Sequence, residues 1–155
     1  MVPGTYTQIY IHLVFAVKYR QSLLHKSFRQ EVFTYMGGII SKLGQIPLKV
    51  NGVEDHVHVL YIMSPNISIS ETVRELKRAS SIFVNENFIK SRFQWQRGYG
   101  AFSYSQSQLD RIIHYIETQE EHHRKKTFRE EYIDFLKAYQ IEYKEEFLFD
   151  FLDKQ

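Results

Sequence analysis

Two groups of residues in this 155-residue chain have the types and spacing to do chemistry. The first is His56-Val57-His58, in the run Asp55-His56-Val57-His58-Val59-Leu60. On a β-strand, residues two apart point to one side, so His56 and His58 present their imidazoles together while Val57 and Val59 face a core. Two adjacent imidazoles can chelate one divalent cation. The triplet alone fits equally well with two histidines sharing a solvated sheet face. The second group lies in His114-Tyr115-Ile116-Glu117-Thr118-Gln119-Glu120-Glu121-His122-His123. On a helix, Tyr115 and Gln119 are neighbours at a four-residue step, and His122, seven residues from Tyr115, shares their face. That patch offers a phenol, a carboxamide oxygen and an imidazole. By itself it also fits a polar helix face with a partly buried tyrosine.

The elements that must position these groups follow from hydrophobic periodicity. Residues 5–19 alternate Ile9, Ile11, Leu13, Phe15 and Val17 with Tyr10, His12, Val14, Ala16 and Lys18, which predicts a long strand. Residues 22–43 carry Leu24, Phe28, Val32, Met36, Ile39, Ile40 and Leu43 at helical steps, with Gly44 as the stop. Two short strands are expected over 46–54 and 56–63. Ser68-Ile69-Ser70-Glu71 has the spacing of a capping box, and the helix behind it places Val73, Leu76, Ala79 and Phe83 on one stripe. A fourth strand is expected from Trp95 to Ser103, loosened by Gly98 and Gly100. Ser105-Gln106-Ser107-Gln108 then opens a helix running to about Lys125, with Leu109, Ile112, Ile113 and Ile116 on its buried side. Tyr132, Phe135, Leu136 and Tyr139 mark an amphipathic helix in the tail. Phe147, Leu148, Phe149, Phe151 and Leu152 form a last cluster. The order β-α-β-β-α-β-α plus a helical tail predicts an α+β fold. It is the ferredoxin-like (RRM-like) antiparallel sheet with helices on one face, leaving the other face free to carry a site.

Composition narrows the class of function. A content of 43% hydrophobic and 15% aromatic residues marks a folded domain and not a disordered chain. The absence of cysteine excludes disulfides, thiolate zinc sites and cysteine nucleophiles, and agrees with a reducing compartment. No apolar run approaches the roughly 20 residues of a membrane span. Met1-Val2-Pro3-Gly4 lacks the charged and apolar regions of a secretory signal, so a cytoplasmic location is expected. Residues 129–155 hold 4 Lys/Arg and 8 Asp/Glu, and the remainder holds 16 and 10, so a body of balance +6 carries a tail of balance −4. A basic body suits a polyanionic partner.

Taken together, the two histidines around one apolar residue and the later Tyr-x-x-x-Gln resemble the HUH single-tyrosine transposases of the insertion-sequence 200/605 family (IS200-like transposases). His12-Leu13-Val14-Phe15 with Lys18-Tyr19-Arg20, Gly98-Tyr99-Gly100-Ala101-Phe102-Ser103, His122-His123 and the Phe128 to Tyr143 tail also look like that family, so the resemblance covers nearly the whole chain. It implies a catalytic core over 1–128, with 129–155 as an acidic aromatic helical tail of the same domain. It further implies that His56, His58 and Gln119 are metal ligands, Tyr115 is the nucleophile and the cofactor is Mg²⁺ or Mn²⁺. Imidazole plus a neutral carboxamide oxygen leaves positions for water and phosphate oxygens. The activity implied is cleavage and rejoining of single-stranded DNA with hairpin ends through a 5′-phosphotyrosine link, by a homodimer whose active sites can be completed in trans. A phenol of ordinary pKa about 10 needs activation, and His122 is the group expected near the tyrosine. Lys18, Arg20, Arg74, Lys77, Arg78, Arg92 and Arg97 are candidate phosphate contacts, and Tyr10, Tyr99 and Phe102 are candidate stacking platforms. Two other readings stay open: an HUH replication or relaxation endonuclease, and a non-catalytic ferredoxin-like nucleic-acid-binding protein.

Overall fold

Strand β1 (Tyr10–Ala16) is buried on both of its faces along its whole length. A strand so enclosed must sit inside a sheet that is covered on both sides. The computed structural model, which describes residues 2–19, 23–90 and 92–151, places it there. Strands β2 (Ile46–Gly52), β3 (His56–Ile62) and β4 (Gly100–Tyr104) complete a four-stranded sheet in the order β2-β3-β1-β4. Every pairing is antiparallel. This is the ferredoxin-like arrangement that the element order predicts.

Helices α1 (Arg29–Lys42) and α2 (Ile69–Val84) lie on one face. Val32, Met36 and Ile40 of α1 and Val73 and Leu76 of α2 pack with Leu13 and Phe15 of β1 and Val57 and Val59 of β3. Helix α1 ends as Gly44 suggests: Gly44 takes φ 76°, its N–H donates to Ser41 O at 3.0 Å, and Gln45 N–H donates to Ile40 O at 3.1 Å. That pair of bonds is a Schellman stop. Ser68 caps α2, its hydroxyl accepting from Glu71 N–H at 3.1 Å.

The second face is not left free. Helices α3 (Leu109–Glu117), α4 (Gln119–Lys125) and α5 (Phe128–Ala138) cover it. Ile112 and Ile116 of α3 pack on Leu60, and Phe135 of α5 stacks on Phe102 of β4 with centroids 5.1 Å apart. The histidines of β3 therefore face a covered surface and not a solvated one.

Four element boundaries differ from the sequence expectation. The strand over 5–19 shrinks to Tyr10–Ala16 because its partners run out, with Tyr10 opposite Ile62 and Tyr104 and Ala16 opposite His56. The helix over 22–43 begins at Arg29. Before it, Leu24 N–H donates to Glu54 O at 2.8 Å, which ties that residue to the β2–β3 connection. The fourth strand splits: Trp95 makes only an isolated bridge to Val17, Gly98 turns the chain at φ 84°, and β4 starts at Gly100. The long helix to Lys125 breaks at Thr118 (φ −101°, ψ 29°). Asn51 of β2 causes this, its Nδ2 donating to the carbonyls of Ile116 at 2.9 Å and Glu117 at 3.2 Å. Those oxygens would otherwise continue the helix ladder. Among the described residues, no helix is long and apolar enough to cross a membrane.

Candidate active site

Strand β3 puts His56 and His58 on the face covered by α3, α4 and α5, where they are 1% and 0% exposed. Gly52 allows the tight approach that sets the start of the strand. A Cβ at Gly52 would stand 2.3 Å from the backbone oxygen of His56, so only glycine fits. Each imidazole has one nitrogen held from behind and one aimed into the site. His56 Nδ1 lies 2.7 Å from Asp55 Oδ1. His58 Nδ1 lies 2.7 Å from Nε2 of His12, whose Nδ1 in turn meets the Tyr104 hydroxyl at 3.1 Å. Both Nε2 atoms point to one carboxylate oxygen, Glu131 Oε1, at 3.1 Å each. Gln119 Oε1 is also 3.1 Å from His56 Nε2. Partners of this kind behind a histidine fix its tautomer and ring plane. Above His56 the ring of Phe128 stacks at 3.9 Å, tilted by 2°.

Tyr115 reaches the same place from α3. Its hydroxyl donates to Glu131 Oε2, and Gln119 Nε2 donates to that oxygen at 3.2 Å. The break at Thr118 means that Tyr115 and Gln119 are not on one continuous helix, yet both still meet at Glu131. The His122 ring lies beside Tyr115, centroids 4.5 Å apart, while the tyrosine hydroxyl turns to the carboxylate. The two sequence clusters are thus brought together within one chain.

Glu131 is a candidate site residue that sequence reasoning missed. It is 7% exposed, and it falls on the buried stripe of α5 with Phe128, Tyr132 and Leu136. A signal was present. Thr127-x-x-Glu130 is a capping box that sets the helix start, and the helical phase from there puts one acid among aromatic and aliphatic positions. Carboxylates are almost never buried unless paired. His12 and Asn51 were also missed. They are ordinary strand residues until the register places them against His58 and the end of α3.

Electrostatics follow from this packing. Burial works against charge on His56, but the hydrogen bonds to Asp55 and Glu131 outweigh it and push its pKa up to about 10. Burial lowers both His58 and His12, with neighbouring histidine charge adding to the effect, so these rings are neutral. Burial alone would raise Glu131, but His58 and His56 hold it far below the usual carboxylate range. Burial, then the negative charge of Glu131, raises the Tyr115 phenol above its ordinary value. At rest the phenol is therefore protonated and the carboxylate is not.

The donor set fits a hard or borderline divalent cation. One donor atom from each of His56, His58 and Glu131 lies within 4.8 Å of the others, and all three residues are buried. Two imidazoles, a carboxylate and the Gln119 carboxamide make a nitrogen and oxygen donor set.

The expected DNA contacts scatter. Arg74, Lys77 and Arg78 ride on α2, on the sheet face opposite the histidines. Lys77 is half-buried: its ammonium donates to Gln96 O at 2.8 Å and Gly98 O at 2.7 Å, and burial lowers its pKa to about 8. It braces the loop before β4. Arg78 pairs with Glu75 at 2.6 Å. Lys18 is exposed over the Tyr19 ring, and Arg92 and Arg97 are exposed. Arg20 and Leu152 lie outside the described residues. Tyr10 and Phe102, at 4% and 2% exposure, are core rings and not stacking platforms, whereas Tyr99 is exposed.

Comparison with known proteins agrees with this geometry. Residues 5–119 match the family profile described as "Transposase IS200 like". The chain is 33% identical over 98 residues to the transposase for insertion sequence element IS200 of Salmonella typhimurium, a match covering 57% of this chain and 62% of that protein. The same identity and coverage hold for the IS200 transposase of Salmonella typhi, so the chain spans 62% of the length of these relatives. It is 28% identical over 122 residues to the ISDra2 transposase TnpA of Deinococcus radiodurans, covering 75% of this chain and 87% of that one. Two solved structures share the fold. One is a Deinococcus radiodurans R1 protein assigned as a transposase (TM-score 0.62, 24% identity, 77% of this chain and 96% of that one). The other is a REP-associated tyrosine transposase bound to a REP hairpin (TM-score 0.58, 13% identity, 79% and 73%).

Proposed function

The chain belongs to the IS200-like transposase family, and on that premise we propose that it is a DNA transposase that cuts and rejoins single-stranded DNA at insertion-sequence ends. Tyr115 is the nucleophile in this reading, and His56, His58 and Gln119 hold Mg²⁺ or Mn²⁺. The observation that carries it is the convergence of the Tyr115 hydroxyl, the Gln119 carboxamide and both imidazole Nε2 atoms on the two oxygens of Glu131. Glu131 joins the set as its anionic donor.

In the first half-reaction the Tyr115 oxygen bonds to a backbone phosphorus, the bond from phosphorus to the 3′-oxygen breaks, and the released strand ends in a 3′-hydroxyl. The phenol proton passes to Glu131 Oε2, the atom it already faces, and that carboxyl returns a proton through water to the departing 3′-oxygen, which leaves as the 3′-hydroxyl. A cation held by His56, His58, Gln119 and Glu131 would supply charge neutralisation for the attacked phosphate. Asp55 and His12 keep the two imidazoles oriented, and Phe128 excludes water from above His56. The 5′-phosphotyrosine bond conserves the energy of the cut, so a second 3′-hydroxyl can attack it and rejoin strands. DNA with hairpin ends as the partner, a homodimer as the assembly and the cytoplasm as the location complete the proposal. A single chain closes the constellation by itself, which favours active sites completed in cis within such a dimer.

Incubation with single-stranded hairpin DNA and Mn²⁺, followed by a denaturing gel, tests this. The wild-type chain should give a covalent protein–DNA band, and Tyr115→Phe should bind the same DNA with no band. A band from Tyr115→Phe would remove Tyr115 as nucleophile. A mixture of His56→Ala and Tyr115→Phe chains should stay inactive, because cis sites cannot complement.

A further inference from the structure

A cavity of about 830 Å³ opens beside the Tyr115 ring, between α3 and α4 on one side and β4 and α5 on the other. It lies within the range of about 300–1,000 Å³ typical of sites that bury a small organic ligand. Its lining is aromatic, basic and in part acidic, the acids being Glu131, which is held by Tyr115 and the histidines, and Asp134, which is paired with Lys126. Tyr104, Phe135 and Tyr139 supply aromatic surface, and the solvent-exposed Arg111 and Lys125 supply positive charge. The aromatic part is itself ordered, with Tyr139 O–H donating to Ser103 O at 2.8 Å.

Resting on the strand-cutting role proposed above, we propose that this cavity is a subsite for one unpaired nucleobase of the substrate strand, next to the phosphate that Tyr115 attacks. Three observations carry the assignment. Tyr115 is itself part of the wall, so a phosphate in reach of its oxygen sits at the edge of the cavity, and the neighbouring base is tethered within one backbone step. The charge fits, because the two lining acids are already taken up by Tyr115, the histidines and Lys126, while the exposed Arg111 and Lys125, the latter paired with Glu121 at 3.6 Å, leave basic groups at the rim for a polyanionic backbone. The surface matches, because aromatic rings bind unpaired bases by stacking. Phe135 and Ala138 come from α5 and Tyr139 from its C-cap, beyond the residues 5–119 that match the family profile. The tail helix therefore supplies one wall of the subsite and the matched region the other.

Equilibrium binding of fluorescein-labelled single-stranded hairpin oligonucleotides to Tyr115→Phe protein in Mn²⁺ tests the subsite. A single abasic nucleotide is moved along the strand. One position should weaken binding by roughly tenfold or more, as expected for loss of one stacked base. Ala138→Trp, which fills the cavity, should bind the intact strand as weakly as the parent protein binds that abasic strand, and should no longer respond to the abasic site. Thermal melting confirms folding, and Tyr139→Leu serves as a second variant with the same expectation. Undiminished binding by either folded variant, or an abasic penalty that persists in both, overturns the subsite. The gel assay separates this from the parent reading. A covalent band without any single-position penalty sinks only the subsite. A single-position penalty that both variants remove, without any band from the wild-type chain, sinks only the cleavage chemistry. No binding of any strand sinks both.

Discussion

Binding of Mn²⁺ should release one proton, and that proton should come from His56. Without a cation, the His56 Nε2–H is shared between Glu131 Oε1 and Gln119 Oε1, each 3.1 Å away. That hydrogen must leave before the nitrogen can bind a metal. No other member of the set releases a net proton, because a neutral imidazole moves its single ring proton to Nδ1 when Nε2 takes the metal. His58 and His12 are lowered by burial and are neutral, and the two histidines facing Glu131 hold it ionised. Since the Asp55 and Glu131 partners push His56 up to about 10, the competition persists across the neutral range. Apparent affinity should then rise about tenfold per pH unit, or roughly thirtyfold from pH 7.0 to 8.5. The same shift has a stability consequence. A pKa raised on folding contributes stability that is fully present below the unfolded value of about 6.5, and that contribution is lost as pH rises through the folded value. Metal-free protein should therefore melt lower at pH 9 than at pH 7. The low values of Asp55 and Glu131 act in the opposite sense, contributing above the ordinary carboxylate range and fading on acidification. Titration calorimetry in two buffers of different ionisation enthalpy counts the proton directly. A flat affinity between pH 7.0 and 8.5 with no proton released would refute the claim that His56 faces the cation through a protonated nitrogen.

Two substitutions probe how the fold holds the site. Gly52→Ala should destabilise the protein by about 2 kcal/mol or more, because its Cβ would stand 2.3 Å from a backbone oxygen that cannot swing away; a melting temperature within a degree or two of wild type would contradict this. Phe128→Ala should cost about 3–5 kcal/mol by chemical denaturation and, in protein that remains folded, weaken Mn²⁺ binding by exposing the His56 ring it covers at 3.9 Å; unchanged metal affinity would show that the stacking does not hold that ring.

What could be read from the sequence was what is local. The period of two in β3 announces that His56 and His58 share a side, and the four-residue step announces Tyr115 beside Gln119. The cause of the break between these last two is not local, since Asn51 lies on β2 and takes the carbonyls of Ile116 and Glu117 only once the sheet exists. The same limit explains Tyr10 and Phe102. Alternation shows which residues share a face, but not whether that face meets solvent or another helix. Here helices α3 to α5 cover it, so rings expected to stack on bases are core. The over-long first strand has a related origin: its side chains alternate past Ala16, but hydrogen-bonding partners on β3 and β4 do not continue.

Glu131 shows where averaging hides function. Counted as one of eight acids in the last 27 residues, it looks like solvated tail charge. Placed by the Thr127 cap, it is the one carboxylate among the buried residues of α5. Burying an anion is costly unless charge and hydrogen bonds compensate it, and here every compensating group is one that the chemistry needs: two imidazole nitrogens, a carboxamide and the phenol. Such an arrangement is poor value as structural cement, because well-packed apolar residues often serve stability as well or better. Its retention makes physical sense if the carboxylate keeps the nucleophile protonated and the donors gathered until metal and DNA arrive. On the proposed function, the tail helix then belongs to the active site as much as the strand that carries the histidines does.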